Sequence, residues 1–219
     1  MAFHKSIDNL VSIEDTLNVK ILKAHKPKII AVSKTFPIED IDPLINHGHI
    51  HYGENKVQEA LAKWTSIKQK FNHIKLHMIG NLQTNKVKYV IPLFDYIHTL
   101  DNIKLAEKIA NEQVKKNCRP KIFIQVNIGN ESQKNGISLE NLKNFYKNCS
   151  KDLGLDIIGL MCIPPKNKTS KNYFLEMDKI NQDLNLLDLS MGMSQDYLEA
   201  AENNATFVRI GSKIFGARS

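Results

Sequence analysis

Short apolar runs recur along the chain at residues 28–34, 49–53, 74–80, 96–100, 121–128, 155–163, 186–191 and 206–211. Each has strand length and ends near Gly, Asn, Asp or Pro. Between them the spacing turns helical. Val57-Gln58-Glu59-Ala60-Leu61-Ala62-Lys63-Trp64 and Ile103-Lys104-Leu105-Ala106-Glu107-Lys108-Ile109-Ala110 place apolar residues three and four apart. Ser138-Leu139-Glu140-Asn141 opens a further helix with a serine suited to the N-cap. Strands joined by helices imply a parallel sheet, and eight strands close such a sheet into a barrel filled by its own side chains. The expected fold is therefore α/β, a single-domain (β/α)8 TIM-type barrel over residues 1–219, with an extra N-terminal helix at 6–25. No linker, repeat or low-complexity segment interrupts it.

Composition narrows the class. At 219 residues and 42% hydrophobic the chain can bury one large core. Lys and Arg number 30 against 23 Asp and Glu, a net charge of +7. The excess is mostly lysine scattered through helices, which reads as a solvated surface, and no aromatic platform for stacking bases accompanies it. A nucleic-acid partner is not expected. No run is long enough to span a membrane, and Met1-Ala2-Phe3-His4-Lys5-Ser6 lacks the apolar stretch of a signal peptide. The expected location is cytoplasmic, with no membrane partner. Cys118, Cys149 and Cys162 are odd in number and lack Cys-x-x-Cys spacing, so they read as reduced thiols. Asn148-Cys149-Ser150 and Asn167-Lys168-Thr169 match the glycosylation pattern by chance if no secretory route exists.

In a parallel barrel the loops after the strands build the site. Lys34 ends the run Lys28-Ile29-Ile30-Ala31-Val32-Ser33-Lys34-Thr35. An amine in that position either snorkels into water or, if partly buried, becomes a nucleophile able to form a Schiff base. At the far end of the chain, Met191-Gly192-Met193-Ser194 precedes a helix expected near Gln195-Asp196-Tyr197, which would set the Ser194 hydroxyl where anions are favoured. Ile210-Gly211-Ser212 repeats the arrangement: Gly211 permits close backbone approach and Ser212 adds a hydroxyl. Arg209 stands two residues before Gly211 and would reach inward. Each residue alone has an ordinary explanation as cap, loop or surface charge. At one face of a closed barrel, where strands one and eight are neighbours, they form a phosphate site beside a lysine, an arrangement suited to pyridoxal 5′-phosphate (PLP). His47, His49 and His51 alternate like metal ligands, but Gly48 marks a turn and no carboxylate or thiol completes a set, so no metal is expected. His77 and His98 read as hydrogen-bonded barrel histidines. Gly211-Ser212-Lys213 lacks the upstream glycine of a P-loop.

Several segments together carry a family resemblance: Ala31-Val32-Ser33-Lys34-Thr35, Tyr52-Gly53-Glu54-Asn55-Lys56-Val57-Gln58-Glu59, His77-Met78-Ile79-Gly80-Asn81-Leu82-Gln83-Thr84-Asn85-Lys86, Gly159-Leu160-Met161, Leu189-Ser190-Met191-Gly192-Met193-Ser194 and Val208-Arg209-Ile210-Gly211-Ser212-Lys213-Ile214-Phe215-Gly216-Ala217-Arg218. In this order, over nearly the whole chain, they resemble the pyridoxal phosphate homeostasis protein family, whose fold is similar to the N-terminal barrel of alanine racemase. The resemblance implies PLP held as a Schiff base on Lys34. It implies Ser194, Gly211 and Ser212 at the phosphate, Arg209 facing the pyridine nitrogen and Asn55 near the ring. Lys56 stands where an aromatic or arginine is common, and Asn81 where histidine is common. An arginine cannot accept a proton, so it leaves the pyridine nitrogen unprotonated and the ring a poor electron sink. That suits a racemase and a carrier alike. Racemases add a tyrosine from a further domain as a second base, whereas this chain ends at Ser219 and its Tyr52, Tyr89 and Tyr96 are explained by packing. The expected function is a non-enzymatic PLP-binding protein of intracellular PLP homeostasis, a monomer that buffers the cofactor or delivers it to apo-PLP enzymes. The alternative is a weak PLP-dependent amino-acid racemase.

Overall fold

The computed structural model describes residues 4–23, 26–165 and 169–216. The apolar runs become parallel strands: β1 (Lys28–Val32), β2 (His51–Glu54), β3 (Lys75–Met78), β4 (Tyr96–Leu100), β5 (Lys121–Val126), β6 (Ile157–Cys162), β7 (Asp188–Met193) and β8 (Phe207–Ile210). They pair in sequence order, and β8 pairs with β1 to close the barrel. Several strands stop short of their apolar runs. Beyond β1 and β3 single ladder bonds to β2 persist, with Ser33 N–H donating to Gly53 at 3.0 Å and Ile79 N–H to Glu54 at 2.9 Å. Hydrophobicity there outlasts regular pairing because the loop residues still pack on the barrel mouth.

The helical segments also appear as expected, as α1 (Lys5–Lys20), α2 (Ile38–His47), α3 (Val57–Lys70), α4 (Val87–Val90), α5 (Ile103–Lys116), α6 (Leu139–Lys147), α7 (Ser170–Asp183), α8 (Tyr197–Glu202) and α9 (Ser212–Phe215). α1 precedes β1, presenting Leu10, Ile13 and Leu17 to the core. Ser138 occupies the N-cap position of α6, yet its side chain makes no cap bond to the helix; its hydroxyl accepts from Asn141 instead, at 2.9 Å. The tripeptide Asn167-Lys168-Thr169, the start Met1-Ala2-Phe3 and the end Ala217-Arg218 lie wholly or partly outside the described residues. The helix expected over 6–25 ends earlier, at Lys20, where Ile21 turns extended.

Strand alternation sorts the core into two shells. Outward residues such as Ile29, Leu76, Ile97, Ile122 and Leu189 join the helices in one continuous apolar layer. Inward residues Ile30, Tyr96, Phe123, Met161 and Phe207 form a second cluster inside the barrel. The interior also holds His77, His98, Ser190 and Arg209, all buried. Aromatic and polar groups thus fill a space where branched aliphatic residues usually dominate.

The closest backbone approach involves Gly159, where β6 meets β7: a Cβ there would collide with the carbonyl of Asp188. Backbone cannot yield as a flexible side chain can. The variant Gly159→Ala should therefore separate β6 from β7 and destabilise the protein by about 3 kcal/mol or more. Urea denaturation checks this, and a loss under about 1 kcal/mol would contradict it.

Candidate functional site

The strand C-terminal ends gather the predicted residues at one mouth. Parallel register fixes which loops are neighbours: Ala31 lies opposite Ile210 and Tyr52, and Met193 opposite Arg209. These pairings set the loop carrying Lys34 between the loop after β2, with Asn55, and the loop after β8, with Gly211 and Ser212. Ser194 follows Met193 on the far side of β8. Gly211 lies against β1, where an added Cβ would come within 3.3 Å of the Val32 Cβ. Gly80 passes so close to the Asn55 backbone that no side chain fits there, and the Thr99 hydroxyl donates to the Gly80 carbonyl at 2.8 Å.

Lys34 is half-buried in a tight turn, and the next residue, Thr35, has φ +69°. A β-branched residue in the left-handed region is strained by about 1–3 kcal/mol, so surrounding contacts must hold it there. They come from α2's neighbour in sequence, α3. Glu59 accepts the Thr35 N–H at 2.6 Å. Lys63 lies one helical turn on, bonding Glu59 at 2.9 Å and donating to the carbonyls of Ser33 at 2.9 Å and Phe36 at 3.2 Å. The same ammonium lies 2.7 Å from Glu54, which is fully buried. Glu54 also accepts from the Ser33 hydroxyl at 2.8 Å and from the Trp64 indole at 3.0 Å. Phe36 stacks on Phe215 of α9 at 4.8 Å, tying the lysine turn to the short helix that starts at Ser212. Burial opposes ionisation of Glu59, but the Lys63 hydrogen bond, the Thr35 N–H and the charges of Lys63 and Lys56 outweigh it. Its carboxyl is held below its ordinary value.

Beyond β8 in the mouth, the helix after β7 begins where the sequence places it. α8 runs Tyr197–Glu202, with Asp196 at its N-cap position, so Ser194 lies in the preceding turn and does not cap the helix. Asp196 organises that turn by accepting the Met193 N–H at 2.7 Å and the Ser170 hydroxyl at 3.0 Å. Arg209 points into the barrel, as expected. Its Nη1 donates to the carbonyl and hydroxyl of Ser190, both at 2.7 Å, and its Nη2 donates to the Cys162 carbonyl at 2.9 Å. Asn55 contributes an amide oxygen that is buried without a partner among the described residues.

The histidine triplet does not assemble. His47 ends α2, Gly48 turns the chain at φ +96°, and His49 bonds the His51 carbonyl at 3.0 Å. Among the described residues no group of three or more His, Cys, Asp or Glu could hold a metal. Tyr52 packs on Trp64 and Tyr96 on His77, whereas Tyr89, expected to be a packing residue, is exposed beneath Lys88. The cysteines are free thiols. Sequence reasoning missed Glu59, Lys63 and Ser190. The first two carried a signal in their i, i+4 spacing on an amphipathic helix just after the Glu54 strand. Ser190 carried none.

Comparison with known proteins adds the family. The model of the alanine racemase N-terminal domain matches residues 15–219. A pyridoxal phosphate homeostasis protein of Aquifex aeolicus is 39% identical over 200 residues, covering 87% of each chain. One from Pasteurella multocida is 36% identical over 225 residues, covering 96% of each. The solved structure of PipY from Synechococcus elongatus with PLP bound aligns with a TM-score of 0.86 at 29% identity, covering 96% of this chain and all of that one.

Removing one partner of a buried ion pair strands the other charge. The Lys63 side chain is only 11% exposed and its Glu54 partner 0%. The variant Lys63→Met should therefore destabilise the protein by about 3–5 kcal/mol at neutral pH. In the parent, the Glu59 part of this contact is present above the ordinary carboxylate range and is lost as pH falls through the depressed folded value. Thermal denaturation of both proteins should show the difference narrowing on acidification. A gap that is small at neutral pH, or that widens in acid, would contradict the assignment.

Proposed function

This chain belongs to the alanine racemase N-terminal domain family and, within it, to the pyridoxal phosphate homeostasis proteins, and from that premise we propose that it binds PLP and serves to hold and release it. The observation that carries the reading is the Lys34 turn, a strand-end lysine in strained backbone, latched from α3 and set in register beside Gly211. Two features of the mouth fit the cofactor. The Asn55 amide oxygen is buried and unmatched, and the Gly211 backbone approaches β1 more closely than a side chain would comfortably allow. Lys34 would be the point of covalent attachment, Ser194, Gly211 and Ser212 the phosphate cradle, and Asn55 a contact beside the ring.

When bound, PLP supplies an aldehyde that condenses with a primary amine and a ring that can withdraw electrons from what is attached. The chain's own residues decide how far that withdrawal goes. Arg209, facing the ring nitrogen, donates an N–H but cannot give up its proton, which keeps the ring a weak acceptor. That limits the chemistry open to a bound amino acid without by itself separating a carrier from a racemase. We place the protein in the cytoplasm, where its three unpaired thiols suit a reducing compartment. Among the described residues no helix is long and apolar enough to cross a membrane. We further propose that the barrel acts as one domain and as a monomer, with apo-PLP enzymes as recipients.

The purified protein loaded with PLP should be yellow, and borohydride should fix the cofactor on Lys34. Peptide mass mapping checks the position, with Lys213 at the start of α9 the nearest competitor. An adduct there would move the site.

Holo-protein incubated with L- and D-alanine, serine and lysine should show no meaningful racemisation, decarboxylation or transamination, while apo-forms of other PLP enzymes should gain cofactor from it. Turnover of about one per second or more would identify a racemase-like enzyme in place of a carrier.

A further inference from the structure

Inside the barrel a single file of polar side chains leads away from Arg209. Its guanidinium donates to the Ser190 hydroxyl at 2.7 Å. Ser190 Oγ lies 2.8 Å from His98 Nδ1, His98 Nε2 lies 2.9 Å from His77 Nδ1, and His77 Nε2 lies 2.9 Å from His51 Nδ1. His51 stands at the start of β2, in the wall of a cavity of about 450 Å³ at the opposite face, which also includes Lys26, Lys28, His47 and His49. Four hydrogen bonds thus cross the barrel from one mouth to the other.

The arginine fixes the direction of every bond in the file. Arginine has no acceptor, so Ser190 Oγ must accept from it. The one proton on that hydroxyl then goes to His98 Nδ1. A neutral His98 whose Nδ1 accepts carries its proton on Nε2 and donates to His77 Nδ1, and His77 donates in turn to His51 Nδ1. All three imidazoles become Nε2–H tautomers, with acceptor nitrogens turned toward the guanidinium and N–H groups turned away. The reverse polarity would leave the Ser190 proton without an acceptor in the file and aim N–H dipoles at a cation. Burial, aided by like charges nearby, disfavours protonation throughout: His51 is lowered to about 4, and His77 and His98 lie well below their ordinary value. Packing holds the ring planes, with Tyr96 stacked on His77 at 4.2 Å and Phe123 on His98 at 4.4 Å.

Such a file solvates a buried cation. Among the described residues no carboxylate forms an ion pair with Arg209. Its charge is met by two carbonyls, one hydroxyl and the aligned dipoles behind that hydroxyl, which polarise one another. We propose that Ser190, His98 and His77 are positioning residues that hold Arg209 oriented at the mouth through a hydrogen-bond chain of fixed polarity ending at His51. This rests on the reading above that Arg209 faces the ring nitrogen of PLP.

The test starts with the unmodified chain without PLP, labelled with ¹⁵N-histidine. Nitrogen chemical shifts at neutral pH should report His51, His77 and His98 as neutral Nε2–H tautomers. The second arm uses His77→Leu, three hydrogen bonds removed from Arg209, and His77→Gln, which keeps an acceptor and a donor. His77→Leu should weaken PLP binding about tenfold and shift the visible absorption of the bound cofactor, and His77→Gln should recover most of both. Wild-type protein that binds PLP but shows His98 as the Nδ1–H tautomer or charged would overturn the positioning role alone. So would a folded His77→Leu protein indistinguishable from the parent. Should that variant not fold, the tautomers of the parent decide. Wild-type protein that binds no PLP would overturn the function itself, and Arg209's role with it, whatever the tautomers.

Discussion

Arg209 carries a charge that deprotonation cannot readily remove, and it is buried inside a closed sheet. Burial lowers its affinity for its proton, so the interior has to solvate the guanidinium or lose it. This constraint accounts for the unusual filling of the barrel. Ser190, His98, His77 and His51 occupy interior positions that branched aliphatic residues would normally take, and Tyr96, Phe123 and Phe207 pack around the rings. The polar groups bond to one another, which gives the interior a defined arrangement.

The second organising contact lies outside the barrel wall. Lys63 is a cation shared by Glu54, Glu59 and the carbonyls of the Lys34 turn. It couples the helix after β2 to the loop after β1, and Phe36 on Phe215 continues the coupling to α9. The strained Thr35 is therefore held from two sides. Lys34 gains a fixed origin on a loop that would otherwise relax, and the amine is presented by a rigid frame.

These two features explain how one barrel can serve a cofactor that other proteins use for catalysis. On the proposed reading, the Lys34 turn would supply an attachment point and the α9 side a backbone cradle, while a donor-only arginine would limit how much electron density the ring can accept. The family relatives named as pyridoxal phosphate homeostasis proteins match most of the chain, 87% and 96% of it.

The amino-acid pattern by itself determined the barrel, because a parallel strand buried on both faces must be apolar along its length, and each such run between helical spacings is visible in one dimension. It also marked Lys34, Asn55, Ser194, Arg209, Gly211 and Ser212, since strand ends in a barrel point to one mouth. Tertiary structure alone decided what those residues touch. Ser190 reads as an ordinary strand serine until β7 and β8 pair and bring it to Arg209. His51, His77 and His98 come from three strands, and the order in which they bond depends on barrel stagger, which no local spacing encodes. The strain at Thr35 is hidden because its sequence favours an ordinary extended or turn conformation, and only the anchors from Glu59 and Lys63 hold it elsewhere. Local periodicity reports burial, whereas hydrogen-bond partners far apart in the chain are chosen by register and closure.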